Sequence, residues 1–261
     1  MIKAIFFDID GTLVSLKTKV YPPSAKVAIE ALRKRGILCF VATGRSKFEI
    51  VSEHMLDGLT FDGYLTCNGQ AAYDDPRGKL LYGAPIEPQE ASALLDWVER
   101  EGCTCWFVGE EDNRINHLAP DAAEALTAIH TQPPRTGDLR RMLEHPVYKI
   151  ILFAPHVRVL DALSHAPHCR KMQWFPCGHD IIHRDGGKRN AMLGVLSRYG
   201  IAAEECMAFG DADNDLEMLR TVGIGVAMGN ATPDALAAAD YITADCDDDG
   251  LLKALQHFEL L

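Results

Sequence analysis

An apolar run, Ile5-Phe6-Phe7, stops at Asp8-Ile9-Asp10-Gly11-Thr12, which puts two carboxylates where a buried strand ends. In an open parallel sheet the ligand crevice lies outside the carboxyl ends of the strands, and Ile2 to Phe7 is apolar enough for a strand covered on both faces. Residues two apart in a strand project from one face, with Cα atoms roughly 6.6 Å apart at about 3.3 Å rise per residue. Asp8 and Asp10 can therefore flank one reacting group. Gly11 permits a turn that a side chain would hinder. Taken alone, Asp-x-Asp-Gly is also ordinary turn and N-cap chemistry. A catalytic reading needs a cation for the carboxylates and donors for an anion elsewhere in the chain.

Three further segments can supply them. Val41-Ala42-Thr43-Gly44-Arg45-Ser46 is again an apolar run that ends at a hydroxyl and a glycine before a helix. Thr43 offers an O–H, and the N–H groups beside Gly44 lie at a helix N-terminus, where orphan donors and the helix dipole favour negative charge. The alternative is that Thr43 or Ser46 only caps the helix. Lys188 follows Asp185-Gly186-Gly187 and starts another helix, where its charge opposes the dipole unless an anion pairs with it; otherwise it is simply solvated.

Phe209-Gly210-Asp211-Ala212-Asp213-Asn214-Asp215 packs three aspartates into five residues. Carboxylates so close raise one another's pKa, so the cluster implies a cation or a proton between them. Oxygen-only ligands favour Mg²⁺ or Ca²⁺ over zinc. An EF-hand calcium loop needs glycine at its sixth position and glutamate at its twelfth, whereas Leu216 and Val222 stand there, which leaves Mg²⁺. Asp213 alone is also compatible with an acidic first turn of a helix.

The elements that must position these groups are legible as alternating patterns. Strand 2 to 7, helix 24 to 35, strand 37 to 42, helix 46 to 56 and strand 62 to 66 predict βαβαβ and a parallel sheet. A hairpin-like stretch follows, turning at Asp74-Asp75-Pro76-Arg77-Gly78. Between 83 and 183 the pattern reads as helix 89 to 101, strands 103 to 108 and 114 to 118, helix 120 to 130, strand 147 to 153, helix 157 to 165, and strands 169 to 175 and 180 to 183. This predicts an α+β unit with a partly antiparallel sheet and a loop at Gln132 to Gly137. The parallel pattern then resumes with helix 187 to 199, strand 206 to 209, helix 213 to 221, strand 224 to 227, helix 232 to 238, strand 240 to 243 and helix 248 to 256. The expectation is an α/β protein: a Rossmann-like parallel-sheet core with helices on both faces, formed by 1–82 and 184–261, interrupted by an α+β domain at 83–183.

A chain of 261 residues with 48% apolar content can build a full-sized core. Its net charge of -11 argues against nucleic acid or an anionic membrane as partner. It does not exclude a small anion, because charges beyond about 8 Å are largely screened and local groups would hold it. The eight cysteines form no Cys-x-x-Cys framework, which predicts buried reduced thiols. Eight of the ten histidines lie in the inserted segment without metal-ligand spacing. Arg114, His117, Trp174 and His183 are its candidates for reading a substrate. No signal peptide opens the chain and no apolar stretch approaches about 18 residues, so a cytoplasmic protein is expected.

Together, Asp8-Ile9-Asp10-Gly11-Thr12, Ala42-Thr43-Gly44-Arg45, Lys188 and Gly210-Asp211-x-x-Asn214-Asp215 resemble the haloacid dehalogenase (HAD) superfamily of phosphohydrolases. The run Gly225-Val226-Ala227-Met228-Gly229-Asn230-Ala231, with Ala238-Ala239-Asp240-Tyr241-Ile242-Thr243 and Asp249-Gly250-Leu251, resembles its Cof-type branch. The resemblance implies a phosphatase acting on a small phosphorylated metabolite, a monomer or weak homodimer, with Asp8 as the nucleophile and Asp10 as acid and then base. It implies Mg²⁺ held by Asp8, the Asp10 carbonyl and Asp211, supported by Asp215. Thr43, Gly44, Lys188 and Asn214 would bind the phosphoryl oxygens, and Arg45 would face the substrate or support this shell. The insert would be a large cap that sets substrate specificity and excludes water, with Asn68-Gly69 near the crossing into it. Lys188-Arg189 stands where the family often has Lys-Gly, which implies a local change of loop. A phosphomutase and a catalytically silent phospho-ligand sensor are the alternatives.

Overall fold

In the computed structural model, which describes residues 1–261, every residue of β1 (Ala4–Phe7) is buried, as a strand can be only when both faces of its sheet are covered. The chain continues through α1 (Pro23–Lys34), β2 (Leu38–Ala42), α2 (Lys47–Ser52), β3 (Gly63–Thr66), β4 (Ala71–Tyr73) and β5 (Leu80–Gly83). A second unit follows: α3 (Pro88–Glu101), β6 (Thr104–Gly109), β7 (Asn113–Ile115), α4 (Pro120–Ala128), β8 (Val147–Phe153), α5 (His156–Leu163), β9 (Cys169–Gln173) and β10 (Gly178–His183). The first unit resumes with α6 (Lys188–Tyr199), β11 (Cys206–Gly210), α7 (Leu216–Leu219), β12 (Ile224–Ala227), α8 (Pro233–Ala238), β13 (Tyr241–Ile242) and α9 (Gly250–His257). The units are Met1–Tyr82 with Gly187–Leu261, and Gly83–Gly186.

The sheet of the first unit runs β13-β12-β11-β1-β2-β3-β4-β5, parallel from β13 to β3 and antiparallel between β3 and β4. Period-two alternation sorts the side chains of β1. Ile5 and Phe7 pack with Ala28, Ile29 and Leu32 of α1 and with Leu251 and Leu255 of α9. Ala4 and Phe6 pack on the other face with Met192, Val195 and Leu196 of α6. Burying a Phe or Leu fully is worth about 1.5–3 kcal/mol, so two such faces fix the register of β1. Phe7 lies between Val41 and Phe209. That register brings the ends of β1, β2 and β11 level, and the residues after them become neighbours. The eight cysteines are all free, and all but Cys177 are buried.

The second unit has its own core. Cys105, Phe107, Ile150, Leu152 and Ile181 pack against Leu94, Leu95 and Val98 of α3 and Val159 and Ala162 of α5. Its sheet, β7-β6-β8-β10-β9, is antiparallel at every pairing, not in part. β8 and β9, joined through α5, run the same way, but β10 slots between them antiparallel to both. A pattern of helices and strands carries no information about that insertion. No helix is long and apolar enough to cross a membrane.

Three local expectations are corrected. Asn68-Gly69 does not mark the crossing between units: it forms the tight turn from β3 to β4, with φ of 56° and 76°, and the chain leaves the first unit after Tyr82. The helix expected over 46–56 stops at Ser52, and His54 then takes φ of 54°. The helix expected over 213–221 begins as a 3₁₀ turn at Asp213–Asp215 and is α-helical only over Leu216–Leu219, because the Asp215 carboxylate turns back to bind the backbone ahead of it.

Candidate active site

Asp8 is the first residue beyond β1, anchored by its N–H to the Phe209 carbonyl at 3.0 Å and buried. The Lys188 Nζ donates to Asp8 Oδ1 and to Asp215 Oδ1, each at 2.6 Å, and is itself 2% exposed. This pairing accounts for a lysine at the start of α6, since two carboxylates neutralise a charge that the helix dipole disfavours. Glycine brings α6 this close. At Gly69 a Cβ would stand 2.3 Å from the Gly187 carbonyl carbon, and Gly187 has φ of 137°. A side chain at 69 would push the start of α6 and Lys188 away from the strand ends.

Asp215 is fully buried, and its second oxygen accepts the N–H groups of Asp211 and Ala212 at 3.0 and 3.1 Å. Asp211 in turn accepts from Thr12 Oγ1 at 2.9 Å. The turn after Asp10 lies directly on it. A Cβ on Gly11, whose φ is 86°, would fall 2.3 Å from Asp211 Oδ2.

Asp8, Asp211 and Asp215 each offer an oxygen within 4.8 Å of the others. Three buried carboxylates face one ammonium, and the electrostatics show the deficit. Burial pushes the Asp8 carboxyl well above the usual range; Lys188 opposes this, and Asp215 and Asp211 add to it. Burial and then Asp215 push Asp211 up to about 7, against the Thr12 hydrogen bond and Lys188. Burial alone would lower Lys188, but Asp215 and Asp8 hold it above its ordinary value. An all-oxygen, undercompensated donor set fits a hard divalent cation.

The sign of the pH effect follows. A carboxyl raised in the folded state binds more protons than in the unfolded chain between about pH 4 and 7, so the metal-free protein loses stability as pH rises through that window. A divalent cation held there would compete with those protons for the same oxygens. Its apparent affinity should rise with pH through that window, by up to roughly tenfold per pH unit for each carboxyl deprotonated. Mg²⁺ titrations followed by the thermal midpoint at pH 5.5, 6.5, 7.5 and 8.5 test this; an affinity independent of pH would contradict it.

Asp10 stands apart from that cluster. Its two oxygens accept from Arg45 Nε and Nη2 at 2.7 and 2.9 Å, while Arg45 Nη1 donates to Glu53 at 2.5 Å. Arg45 is 8% exposed; burial disfavours its charge, and the hydrogen bonds and charge of Asp10 then hold its pKa up. The Thr43 hydroxyl oxygen accepts the Arg45 N–H at 3.1 Å, which leaves its own proton for another acceptor. Ser46 caps α2 through a capping box with Glu49, so the expected capping and the expected anion loop occupy neighbouring residues and do not compete.

Asn214 donates to Asn68 Oδ1 at 3.0 Å, and Asn68 N–H donates to the Thr43 carbonyl at 2.9 Å. A Cβ on Gly44 would lie 3.1 Å from Asn68 Oδ1. Asn68 therefore joins Thr43, Gly44 and Asn214 into one group, whereas the sequence placed it only near the crossing into the inserted domain. Glu53 and Thr12 also went unassigned in the sequence. In the second unit, Arg114 is paired with Asp112 at 2.7 Å, Trp174 Nε1 donates to Asp180 at 2.9 Å, and the His183 ring stacks on His168 at 6.3 Å.

The family model described as haloacid dehalogenase-like hydrolase matches residues 5–255. The chain is 30% identical over 272 residues to the HMP-PP phosphatase of Klebsiella pneumoniae, covering 99% of this chain and 96% of that one. Among solved structures, the HAD subclass IIB sugar phosphatase BT4131 superposes with a TM-score of 0.83 at 33% identity, covering 99% and 100% of the two chains. BT1666 from Bacteroides thetaiotaomicron, also a HAD phosphatase, gives 0.89 at 26% identity, covering 100% and 96%.

Proposed function

Since the chain belongs to the haloacid dehalogenase-like hydrolase family, we propose that it is a Mg²⁺-dependent phosphatase that hydrolyses small phosphomonoesters, sugar phosphates or nucleotides, through an aspartyl-phosphate. One observation carries the reading: the two aspartates at the end of β1 have different partners. Asp8 sits in the buried carboxylate cluster on Lys188, and Asp10 sits outside it on Arg45. The HMP-PP phosphatase and the sugar phosphatase that this chain resembles support a small phosphorylated substrate, and the latter a sugar phosphate.

In this reading an Asp8 oxygen attacks phosphorus, forming an O–P bond as the bond to the leaving oxygen breaks. Asp10 gives that oxygen a proton, then takes one from the water that attacks the aspartyl-phosphate and frees Asp8. Both Asp10 oxygens are held by Arg45, so Asp10 turns from Arg45 to deliver the proton. Lys188, the Thr43 hydroxyl, the Gly44 N–H and Asn214 hold the phosphoryl oxygens as charge spreads over them. Mg²⁺, held by Asp8, Asp211 and the Asp10 carbonyl with Asp215 in support, would supply positive charge beside those oxygens.

Phosphate release from a panel of sugar phosphates and nucleotides with Mg²⁺ tests the assignment. Inorganic phosphate is expected, with no isomeric phosphate ester; an isomer without phosphate would indicate a mutase, and binding without turnover a sensor. Asp10→Asn should lower release from alkyl phosphates by about 10²–10⁴-fold, but the first step with p-nitrophenyl phosphate far less, because that leaving group needs no proton. Equal losses in the first step on both substrates would contradict the acid role.

A further inference from the structure

The loop after β12 contains an asparagine that the proposed chemistry does not use. Asn230 is half-buried; its Nδ2 donates to the Gly11 carbonyl at 2.9 Å, and its Oδ1 accepts the Cys246 N–H at 3.0 Å. With a donor on one side and an acceptor on the other, the amide has a single satisfactory orientation. Two residues on, the Thr232 N–H donates to the Asp211 carbonyl at 2.8 Å and its hydroxyl to Asp213 at 2.9 Å. Behind this loop, Met228 N–H binds the Gly210 carbonyl and Gly229 N–H the Ala244 carbonyl, each at 3.0 Å. One short segment thus grips both the Asp10-Gly11-Thr12 turn and the start of the Asp211 loop, which meet where Gly11 lies on the Asp211 carboxylate.

We propose that Asn230 is a positioning residue that fixes the Asp10-Gly11 turn against Asp211 and so sets the place from which Asp10 transfers its proton. The Gly11 peptide is next to Asp10 in the chain, and its carbonyl has Asn230 as its side-chain donor. Without that donor the turn keeps the Gly11 N–H bond to the Val14 carbonyl at 2.8 Å but loses its tie to the β12 loop. Displacing a catalytic group by about 1 Å can cost on the order of 10²-fold. The cost would fall on proton transfer, because Asp8 is anchored separately to Phe209 and Lys188.

This role rests on the phosphatase reading, and two measurements on the full chain separate the two. Amide hydrogen exchange of the segment 8–14 is compared between wild type and Asn230→Ala. At least tenfold faster exchange there, with residues 224–227 unchanged, is expected; unchanged exchange at 8–14 overturns the proposal whatever the activity. The rate of the first step, formation of the aspartyl-phosphate in a single-turnover quench experiment, is then compared on an alkyl phosphate and on p-nitrophenyl phosphate. Asn230→Ala should lose about 10–100-fold in that first-step rate on the alkyl ester and under threefold on the aryl ester. Asn230→Gln, which keeps the amide, should recover part of the alkyl rate. Equal losses on the two esters would mean a structural role only and overturn the proposal. A wild type inactive on both would overturn the phosphatase reading, while hydrogen exchange would still decide whether Asn230 holds the turn.

Discussion

Asp8→Asn should abolish Mg²⁺-dependent phosphate release, by a factor on the order of 10⁴ or more, as expected when a covalent nucleophile is removed. The variant should nevertheless fold. Asparagine keeps the volume, the backbone anchor from Asp8 N–H to Phe209 is untouched, and Lys188 retains Asp215. The substitution also removes one of three buried like charges, the one that burial and its neighbours hold well above the usual carboxylate range. Its metal-free thermal midpoint should therefore be equal to or above that of wild type at pH 7.5, while its Mg²⁺ affinity falls. Loss of activity together with a lower metal-free midpoint would show that the substitution acts through the fold and not through the chemistry.

Lys188→Met should have the second largest effect, and in the opposite sense for stability. Lys188 is the one cation in contact with the Asp8 and Asp215 carboxylates, and all three are buried. Breaking a buried pair by removing one partner costs about 3–5 kcal/mol, because it leaves charge without compensation. The carboxyl groups can escape by taking up protons. The folded-state pKa values of Asp8 and Asp211, which Lys188 opposes, then rise further above the unfolded value, and the loss of stability should be greater at pH 8 than at pH 5.5. If Mg²⁺ takes the same oxygens as proposed, adding it should recover part of the loss at pH 8 but not the activity, which should remain down by roughly 10³-fold for want of a donor to the phosphoryl oxygens. Thermal midpoints at both pH values, with and without Mg²⁺, check this. A midpoint lowered equally at both would contradict the charge argument.

The residues that could be read from the sequence are those at the ends of strands buried on both faces. Such strands appear as uninterrupted apolar runs, so the polar residue that ends each run is conspicuous, as at Asp8, Thr43 and Asp211. Lys188 was legible for a different reason, its charge being at the unfavourable end of a helix. Asn68, Glu53 and Asn230 were not legible as site residues. Asn68 and Asn230 have partners fixed only when loops distant in sequence come together, Asn214 and Gly11 respectively, and Glu53 meets Arg45, eight residues back, only because α2 stops at Ser52. The same limit explains Asn68-Gly69. The dipeptide announces a turn but not whether the chain then leaves the sheet, and here it adds β4 and β5 before leaving. In the second unit the succession of helices and strands was readable, but the order β8-β10-β9 was not, because pairing depends on which strand edge remains open when β10 arrives.

Whether Asp8 carries the phosphoryl group is decided by acid quench and borohydride reduction of the protein during turnover of acetyl phosphate with Mg²⁺, followed by peptide mass mapping. Homoserine is expected at position 8, absent in Asp8→Asn and accumulating in Asp10→Asn, where the base for the second step is missing. Turnover with position 8 unmodified in wild type and in Asp10→Asn, or modification at position 10, would contradict it.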